Sequence, residues 1–380
     1  MKFFESRLRQ ETKSGYIVCG DTMRCERDNE HTILVLCDGI GSGIYANIAA
    51  ITCAERLMEL FRTGLSFRDA CCTVADSMHR ARTEPMPFTA FSAVKVLVNG
   101  SFTVYTYEAP APLLLRENKA EVMEQRFLTA GYEVVGESEG KLFFGDSLLL
   151  CSDGVSQAGL GNGYSFGIKS EGLAKFINGQ LRKDGDLDQL LASICAMTYE
   201  ISGGRHADDT SLAMLTAREA KELTIATGPP SSRRWDSEFV SRFMSSPGLH
   251  VVCGSTTTNI VARELNRPVE YVNKGAAFGA PPEYRIEGVD MATEGAMMLS
   301  QVYNILDEAP ENLYPKSPVE RLSGFIHDAD IINIIFGRSV NEAHSDLIFK
   351  QIGVRSRQTT VNLLKEKLED MGKLVVIESF

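Results

Sequence analysis

An apolar run that ends in a carboxylate and a glycine-rich corner dominates the hydrophobic pattern of the N-terminal half. Residues 33–37 are apolar, Asp38 follows them, and glycines occupy positions 39, 41 and 43. Apolar residues then recur at helical spacing over residues 44–63. This pattern predicts a buried strand, a tight turn that presents Asp38, and an amphipathic helix.

Further strands and helices are predicted up to residue 216. Asn99-Gly100 between two apolar runs is typical of a two-residue hairpin. The apolar segment 141–152 ends in a second Asp-Gly, at Asp153. The pattern predicts helices over 67–82, 171–181 and 187–202, strands over 15–20, 111–116, 122–128 and 211–216, and a hairpin connection over 23–31. Helices inserted among antiparallel strands indicate a layered α+β domain.

The pattern changes after a charged segment that is rich in Gly, Pro and Ser. Residues 221–235 are predicted to be a linker between domains 1–220 and 236–380. In the second domain, short apolar strands alternate with helical patterns, which is typical of a smaller α/β layer domain. Its strands are predicted over 249–253, 268–272, 331–336 and 373–378, and its helices over 260–265, 289–306, 318–327 and 356–371.

Composition and charge exclude several classes of protein. The 380 residues are 44% hydrophobic and 23% charged, as in ordinary soluble globular proteins. A net charge of −11 argues against a general nucleic-acid binder, because phosphate backbones need basic patches. The cysteines form no Cys-x-x-Cys pair and no signal peptide is evident, so reduced thiols and a cytoplasmic location are expected. No apolar run is long enough to predict a membrane-spanning helix.

Acidic residues at the ends of predicted strands are the candidate chemistry of the chain. They are Asp21, Asp38, Asp153 and the pair Asp208-Asp209. Carboxylates are ligands that Mg²⁺ and Mn²⁺ prefer, and the absence of a Cys/His cluster argues against zinc. Two such ions can lower the pKa of a water molecule that bridges them, and they can neutralise the negative charge that develops in the transition state of phosphoryl transfer. One Asp-Gly alone is more often a turn than a ligand, but the joint pattern favours a metal site.

These motifs occur in the order found in the protein phosphatase 2C superfamily. Gly20-Asp21, Cys37-Asp38-Gly39-Ile-Gly-Ser-Gly43, Leu148–Val155 and Asp208-Asp209-Thr210 resemble its bacterial branch, the sporulation protein E type of serine phosphatase. The resemblance covers about residues 5–216. It implies a four-layer α-β-β-α sandwich. It also implies that two Mn²⁺ or Mg²⁺ ions activate a water that hydrolyses phosphoserine or phosphothreonine in a signalling protein.

The resemblance also implies roles for individual residues. Asp38 resembles the acid that bridges both metals, and the backbone carbonyl of Gly39 resembles a ligand of one of them. Asp153 and Asp209 resemble ligands of the other metal. Asp21 resembles a further acid that lines the site and is included among the candidate metal ligands. Asp38 and Asp21 are also the candidate catalytic acids.

Other implied features are less direct. Asp208 and Gly154 are expected beside the site rather than as metal ligands. The phosphate-binding arginine of eukaryotic members has only candidates here, which are Arg7, Arg9 and Arg24. Relatives act on a small phosphorylated anti-sigma-factor antagonist, which is therefore the expected partner, and the helices of relatives are compatible with a homodimer. No nucleic acid and no membrane are expected as partners.

The second domain offers a candidate ligand loop. Ser255, Thr256 and Thr257 lie between a predicted strand and helix, where N–H groups and hydroxyls could surround a small anion. An ordinary Thr-capped turn explains the same residues, and no P-loop lysine follows. The polar helix opening at 288–295 and a loop at 341–344 could converge with this segment around a small ligand. The domain would then be a sensory or scaffolding domain that modulates the phosphatase.

Three functions are compatible with the sequence. The first is the metal-dependent phosphatase. The second is a catalytically idle phosphatase fold that serves as a scaffold or phosphoprotein-binding module, although such a module has no need for mutually repelling carboxylates. The third is an enzyme whose chemistry lies in residues 236–380, where no nucleophile–base pair is evident.

Overall fold

The computed structural model describes residues 1–83, 88–181, 186–273, 281–312, 317–339 and 356–380. The chain forms two compact units, Met1–Glu219 and Ala220–Phe380. Both units mix helices and strands, which confirms the predicted α+β class. The expected loop at 341–344 lies outside the described residues. Among the helices that the structure describes, none is both long and apolar enough to span a bilayer.

The first unit contains two sheets, each built from antiparallel pairs. In spatial order, the six-stranded sheet consists of β2 (Asp21–Arg27), β3 (His31–Gly39), β4 (Thr89–Leu97), β5 (Ser101–Tyr107), β9 (Glu133–Lys141) and β8 (Arg126–Ala130). The five-stranded sheet consists of β1 (Lys2–Glu11), β11 (Thr210–Glu219), β10 (Ser147–Cys151), β6 (Leu113–Arg116) and β7 (Lys119–Val122). Its helices are α1 (Ile44–Arg62), α2 (Phe67–Thr83), α3 (Asp153–Ser156), α4 (Lys169–Leu181) and α5 (Leu187–Ile201).

Strand β3 shows how the sheets and helices share the core. Val35 and Cys37 pack in one apolar cluster with residues of α1 and α2. Leu34 and Leu36 pack in another cluster with Leu148 and with further residues of the five-stranded sheet. A strand that is buried on both faces needs a continuous apolar run, because successive side chains point to opposite faces. A third cluster joins the five-stranded sheet to α4 and α5.

The N-terminal elements differ from the prediction in two places. Residues 15–20 form turns and bends, not a strand, and β2 occupies part of the segment 23–31 predicted to be a hairpin connection. The strand is polar, but Met23 and Cys25 alternate along it and pack against the core between the sheets.

The strand β9 was not predicted from the sequence, because Glu and Gly occupy much of it.

The second unit contains a seven-stranded sheet flanked by helices. Its strands are, in spatial order, β14 (Glu270–Asn273), β15 (Glu283–Arg285), β16 (Met291–Thr293), β13 (Leu249–Cys253), β12 (Glu222–Thr227), β17 (Ile331–Phe336) and β18 (Leu374–Ser379). The strands from β16 to β18 are parallel. Its helices are α6 (Asp236–Ser245), α7 (Ser255–Leu265), α8 (Ala296–Ile305), α9 (Pro318–Asp328) and α10 (Arg357–Asp370). Helices α6 and α7 cover one face, and α8, α9 and α10 cover the other.

The linker predicted over residues 221–235 is wrong where β12 lies. Leu223 and Ile225 are buried there, and β12 pairs with a parallel strand on each side. The apolar run of β12 is short, and it lies between charged residues and Gly-Pro-Pro, which are typical of a linker. The pattern therefore did not predict a strand there. The helix predicted over 289–306 is also divided, because β16 ends at Thr293 and α8 begins only after Gly295.

Candidate active site

Two of the strand-end acids face each other across neighbouring strands. Asp21 begins β2 and lies opposite Asp38 near the end of β3. The side chain of Asp21 is buried, and neither of its carboxylate oxygens has a hydrogen-bond partner. Burial raises the pKa of Asp21 to about 6, although the nearby hydroxyl groups of Ser211 and Ser152, which do not reach hydrogen-bonding geometry, moderate the rise. An unpartnered buried carboxylate is unfavourable unless a proton or a cation compensates it.

The third acid comes from the other sheet. Asp153 follows β10 as the first residue of α3, and it lines one cavity together with Asp38, Ser152 and Glu108. Burial raises the pKa of Asp38 well above its ordinary value, and the charges of Asp21, Asp153 and Asp208 add to the rise. Burial and the charge of Asp208 also raise the pKa of Asp153. These carboxylates therefore repel one another.

The two acids of the Asp208-Asp209 pair have different surroundings. Asp209 is buried, and its two oxygens accept hydrogen bonds from the backbone N–H groups of Lys13 at 2.8 Å and Gly20 at 2.9 Å. It thus ties the start of β11 to the segment that leads into β2. Asp208 is more exposed, and its Oδ1 lies 3.2 Å from Nζ of Lys13. Asp208, not Asp209, is the acid whose charge raises the pKa of both Asp38 and Asp153.

Glycines allow the backbone to close around these acids. A Cβ atom on Gly39 would lie 1.9 Å from the carbonyl oxygen of Ala46, so the first turn of α1 lies directly against the end of β3. A Cβ atom on Gly154 would lie 2.1 Å from the carbonyl oxygen of Asp209. Neither position has room for a side chain, since these distances are shorter than any van der Waals contact. The close backbone packing beside Asp38 and Asp153 therefore requires glycine at both positions.

The residues present fit hard divalent cations. Among the described residues, no group of three or more His, Cys, Asp or Glu side chains is arranged as a ready-made metal cage. However, Asp21 lacks a partner, Asp38 and Asp153 repel each other, and the ammonium group of Lys13 contacts Asp208. Excess negative charge on oxygen ligands is the donor chemistry that Mg²⁺ and Mn²⁺ select.

Two residues near the acids were missed by the sequence analysis. Lys13 lies in a polar segment without a recognisable signal, and only the fold brings it to Asp208 and Asp209. Glu108 follows β5 in the left-handed backbone region at φ 51°, which is uncommon for a residue other than glycine. That strained backbone next to Ala-Pro is visible only in the structure.

The arginines and the second-domain loop lie in other surroundings. Each candidate arginine pairs with a carboxylate outside the acidic cluster, since Arg7 contacts Glu5 and Asp188, Arg9 contacts Glu11, and Arg24 contacts Glu55. Ser255, Thr256 and Thr257 form the first turn of α7 in the second unit.

The family comparison is decisive for the first unit. The model of the family described as stage II sporulation protein E (SpoIIE) matches residues 28–218, which is half of the chain and includes four of the five candidate acids. The chain belongs to the SpoIIE family. The resemblance to SpoIIE-type serine phosphatases is thereby confirmed.

Several solved structures are similar to part of this chain at low identity. The phosphatase domain of the cell fate determinant SpoIIE from Bacillus subtilis is 14% identical, with 57% of this chain and 93% of that chain covered and a TM-score of 0.45. The RsbU and RsbW domains of a Mycobacterium tuberculosis protein are 15% identical, with 63% and 68% covered and a TM-score of 0.48. RsbX in complex with magnesium is 14% identical, with 57% and 100% covered and a TM-score of 0.41. Among curated proteins, none matches the sequence significantly.

Proposed function

We propose that the SpoIIE unit is a Mn²⁺- or Mg²⁺-dependent phosphatase that hydrolyses phosphoserine or phosphothreonine in a protein of bacterial signalling. The observation that carries the proposal is the cluster of carboxylates at the ends of both sheets. Its most buried member, Asp21, has no hydrogen-bond partner. A fold that retains mutually repelling acids gains stability only when cations or protons compensate them.

Individual residues would hold two divalent cations. Asp38 is the acid whose pKa responds to charges from both sheets, so it is the best candidate for the bridging ligand. The carbonyl of Gly39, Asp153 and one acid of the Asp208-Asp209 pair would complete the set. When bound, the cations would supply an acidified water and positive charge for the phosphoryl oxygens.

Within that pair, we propose Asp208 as the ligand in place of Asp209. Both oxygens of Asp209 already accept backbone hydrogen bonds that connect the two sheets. By contrast, the charge of Asp208 raises the pKa of both Asp38 and Asp153. The carboxylate of Asp208 also contacts the ammonium group of Lys13. Asp209 would position the site.

Asp21 would accept a proton from the attacking water, and Lys13 would bind the phosphate of the substrate. The pKa of Asp21, about 6, lies near neutral pH, where a carboxylate is suited to accept a proton from the attacking water. The ammonium group of Lys13 would exchange its contact with Asp208 for a phosphoryl oxygen of the substrate. An ammonium group is a common phosphate ligand.

An apolar surface next to the acids supports a protein substrate. The surface consists of Ile40, which directly follows Gly39, and of Ile44, Tyr45 and Ile48 in the first turns of α1. Tyr45 is 88% exposed and Ile44 is 63% exposed. Adjacent exposed apolar side chains mark surfaces that bind other proteins. We propose that this surface receives the phosphoprotein.

The finer assignment of the partner rests on family membership. An anti-sigma-factor antagonist is the phosphoprotein that we propose, and a homodimer is the assembly that we propose. The cysteines of the chain are all free thiols, which supports a reducing cytoplasm as the location. Size-exclusion chromatography with light scattering tests the dimer, and a monomer at micromolar concentration would contradict it.

The decisive experiment is hydrolysis of p-nitrophenyl phosphate by the full chain, with Mn²⁺, with Mg²⁺ and with chelator. Asp38→Asn should lower metal-dependent turnover at least about 100-fold, because it removes a ligand that positions transition-state charge. Glu59→Gln, which removes an exposed carboxylate of α1, is the matched control and should retain turnover. Full activity of Asp38→Asn would refute the proposal, and a folded wild type without turnover would favour the idle scaffold.

A further inference from the structure

The carboxyl edge of the parallel sheet in the second unit is lined by glycines. Gly337 follows β17, Gly228 follows β12, Gly254 follows β13, and Gly295 lies two residues after β16. If the five parallel strands β12, β13, β16, β17 and β18 are numbered 1 to 5 along the chain, their spatial order across the sheet is 3-2-1-4-5. The order therefore reverses at β12. Open α/β sheets bind ligands at the carboxyl ends of their strands, beside this reversal.

An arginine that has no ion-pair partner among the described residues reaches this edge. Arg357 begins α10, and a Cβ atom on Gly228 would lie 2.6 Å from its Nη1. Its Nε is buried without a hydrogen-bond partner, and in the part of the chain that the structure describes no carboxylate forms an ion pair with it. Burial lowers the pKa of the guanidinium group. A half-buried cation without an anion is unfavourable, and a bound anion would remove that penalty.

A buried hydroxyl without a partner lies at the next strand. Thr257 is 1% exposed, and its Oγ1 makes no hydrogen bond. A Cβ atom on Gly254 would lie 3.1 Å from this Oγ1, so the hydroxyl points toward the glycine at the edge. Thr257 belongs to the first turn of α7, whose eleven residues direct their N-terminal N–H groups to the same edge. The hydroxyl and these N–H groups are donors for an oxyanion.

A carboxylate lies farther along the carboxyl edge of the sheet. Glu294 follows β16, which is two strands from β12, or about 10 Å at the usual strand spacing. Its side chain is half-buried, and its charge helps to raise the pKa of Tyr284. A carboxylate repels phosphate but accepts hydrogen bonds from hydroxyl groups. The edge is therefore suited to an anion at one end and to hydroxyls at the other.

We propose that this edge binds a nucleoside monophosphate or a closely similar sugar phosphate. Arg357, Thr257 and the N–H groups of α7 would hold the phosphate. Glu294 would accept hydrogen bonds from the sugar hydroxyls. Gly228 and Gly337 pack closely against each other, so backbone groups form this part of the edge.

The test is isothermal titration calorimetry of the metal-free full chain in chelator, with AMP and with inorganic phosphate as probes. Chelation prevents phosphate from binding through metals in the first unit, so failure here is independent of the phosphatase proposal. Arg357→Gln should weaken both probes about tenfold or more, because a charge-assisted hydrogen bond is lost. Thr257→Val should weaken both about threefold, and Glu294→Gln should weaken only AMP.

Controls keep the result interpretable. Arg285→Gln, which removes an exposed arginine of the same unit, should leave both affinities unchanged. Without ligand, Arg357→Gln should unfold at the same temperature as wild type or higher, since it removes a half-buried charge that no described carboxylate pairs with. Absence of AMP binding at millimolar concentration, or AMP binding that Arg357→Gln leaves intact, would overturn the proposal. Phosphate binding without tighter AMP binding would overturn the nucleotide assignment.

Discussion

At the scale of single residues, the buried acids make stability depend on pH. The folded-state pKa of Asp21 is about 6, against an ordinary value of 3.8. A raised pKa means that the folded state binds the proton more tightly than the unfolded chain does. This contribution to stability is therefore complete below about pH 4 and disappears as the pH rises through 6.

The first prediction follows from that sign. In chelator, the unfolding temperature of the wild type should fall between pH 4 and pH 7, and Asp21→Asn should reduce the fall because it removes one of the titrating acids. Circular dichroism melts across this range provide the measurement. Mn²⁺ should restore stability at pH 7 in the wild type. Identical pH dependence of the unfolding temperature in both proteins would show that the pKa of Asp21 is not raised in the folded state.

The second prediction separates Asp208 from Asp209. Asp208→Asn should abolish most metal-dependent turnover and leave the free energy of unfolding unchanged or increased, because it relieves repulsion with Asp38 and Asp153. Asp209→Asn should lower the free energy of unfolding by about 1–3 kcal/mol, since it weakens two hydrogen bonds to a charged acceptor. Urea titrations and turnover assays measure both effects, and the reverse pattern would restore Asp209 as the ligand.

At the scale of secondary-structure elements, the contact between β3 and α1 sets the position of the acids. Gly39→Ala forces a methyl group against the carbonyl of Ala46, so it should cost about 1–3 kcal/mol of stability and displace Asp38 enough to reduce turnover. Gly179→Ala in α4 is the matched control. Nothing lies within 4 Å of its Cβ position, so it should be neutral or stabilising by about 0.5–1 kcal/mol. Equal stability of the two variants would contradict the close contact.

The first turns of α1 carry a separate prediction about the substrate. Tyr45→Ser should raise KM for serine-phosphorylated casein several-fold and leave hydrolysis of p-nitrophenyl phosphate unchanged, because only a protein reaches the apolar surface. Tyr132→Ser removes a side chain that is 83% exposed elsewhere in the unit and should change neither value. A parallel loss on both substrates would assign Tyr45 to the fold of the site instead.

At the scale of the whole molecule, the described residues of the three apolar clusters in the first unit all belong to Met1–Glu219. A chain that ends after Glu219 should therefore fold alone and keep metal-dependent turnover. Melting curves and the p-nitrophenyl phosphate assay provide the measurement. A truncated protein that is unfolded would show that Ala220–Phe380 contributes to the stability of the first unit.

The local sequence determined the elements whose periodicity is strong. The apolar run of β3, the helical spacing of α1, the Asn-Gly hairpin between β4 and β5, and the strand β17 were all predictable, because side-chain period reports local conformation directly. The strand-end acids and their order were also sufficient to indicate the family. These features depend on neighbours within a few residues along the chain.

Only the tertiary structure decided the rest. The polar strand β2 exists because β3 supplies its backbone partners, and β12 is buried because parallel strands flank it on both sides. The different surroundings of Asp208 and Asp209 depend on Lys13, which is 196 residues away from Asp209 in the chain. Burial, pairing and charge coupling arise between distant segments, and no local pattern encodes which segments meet.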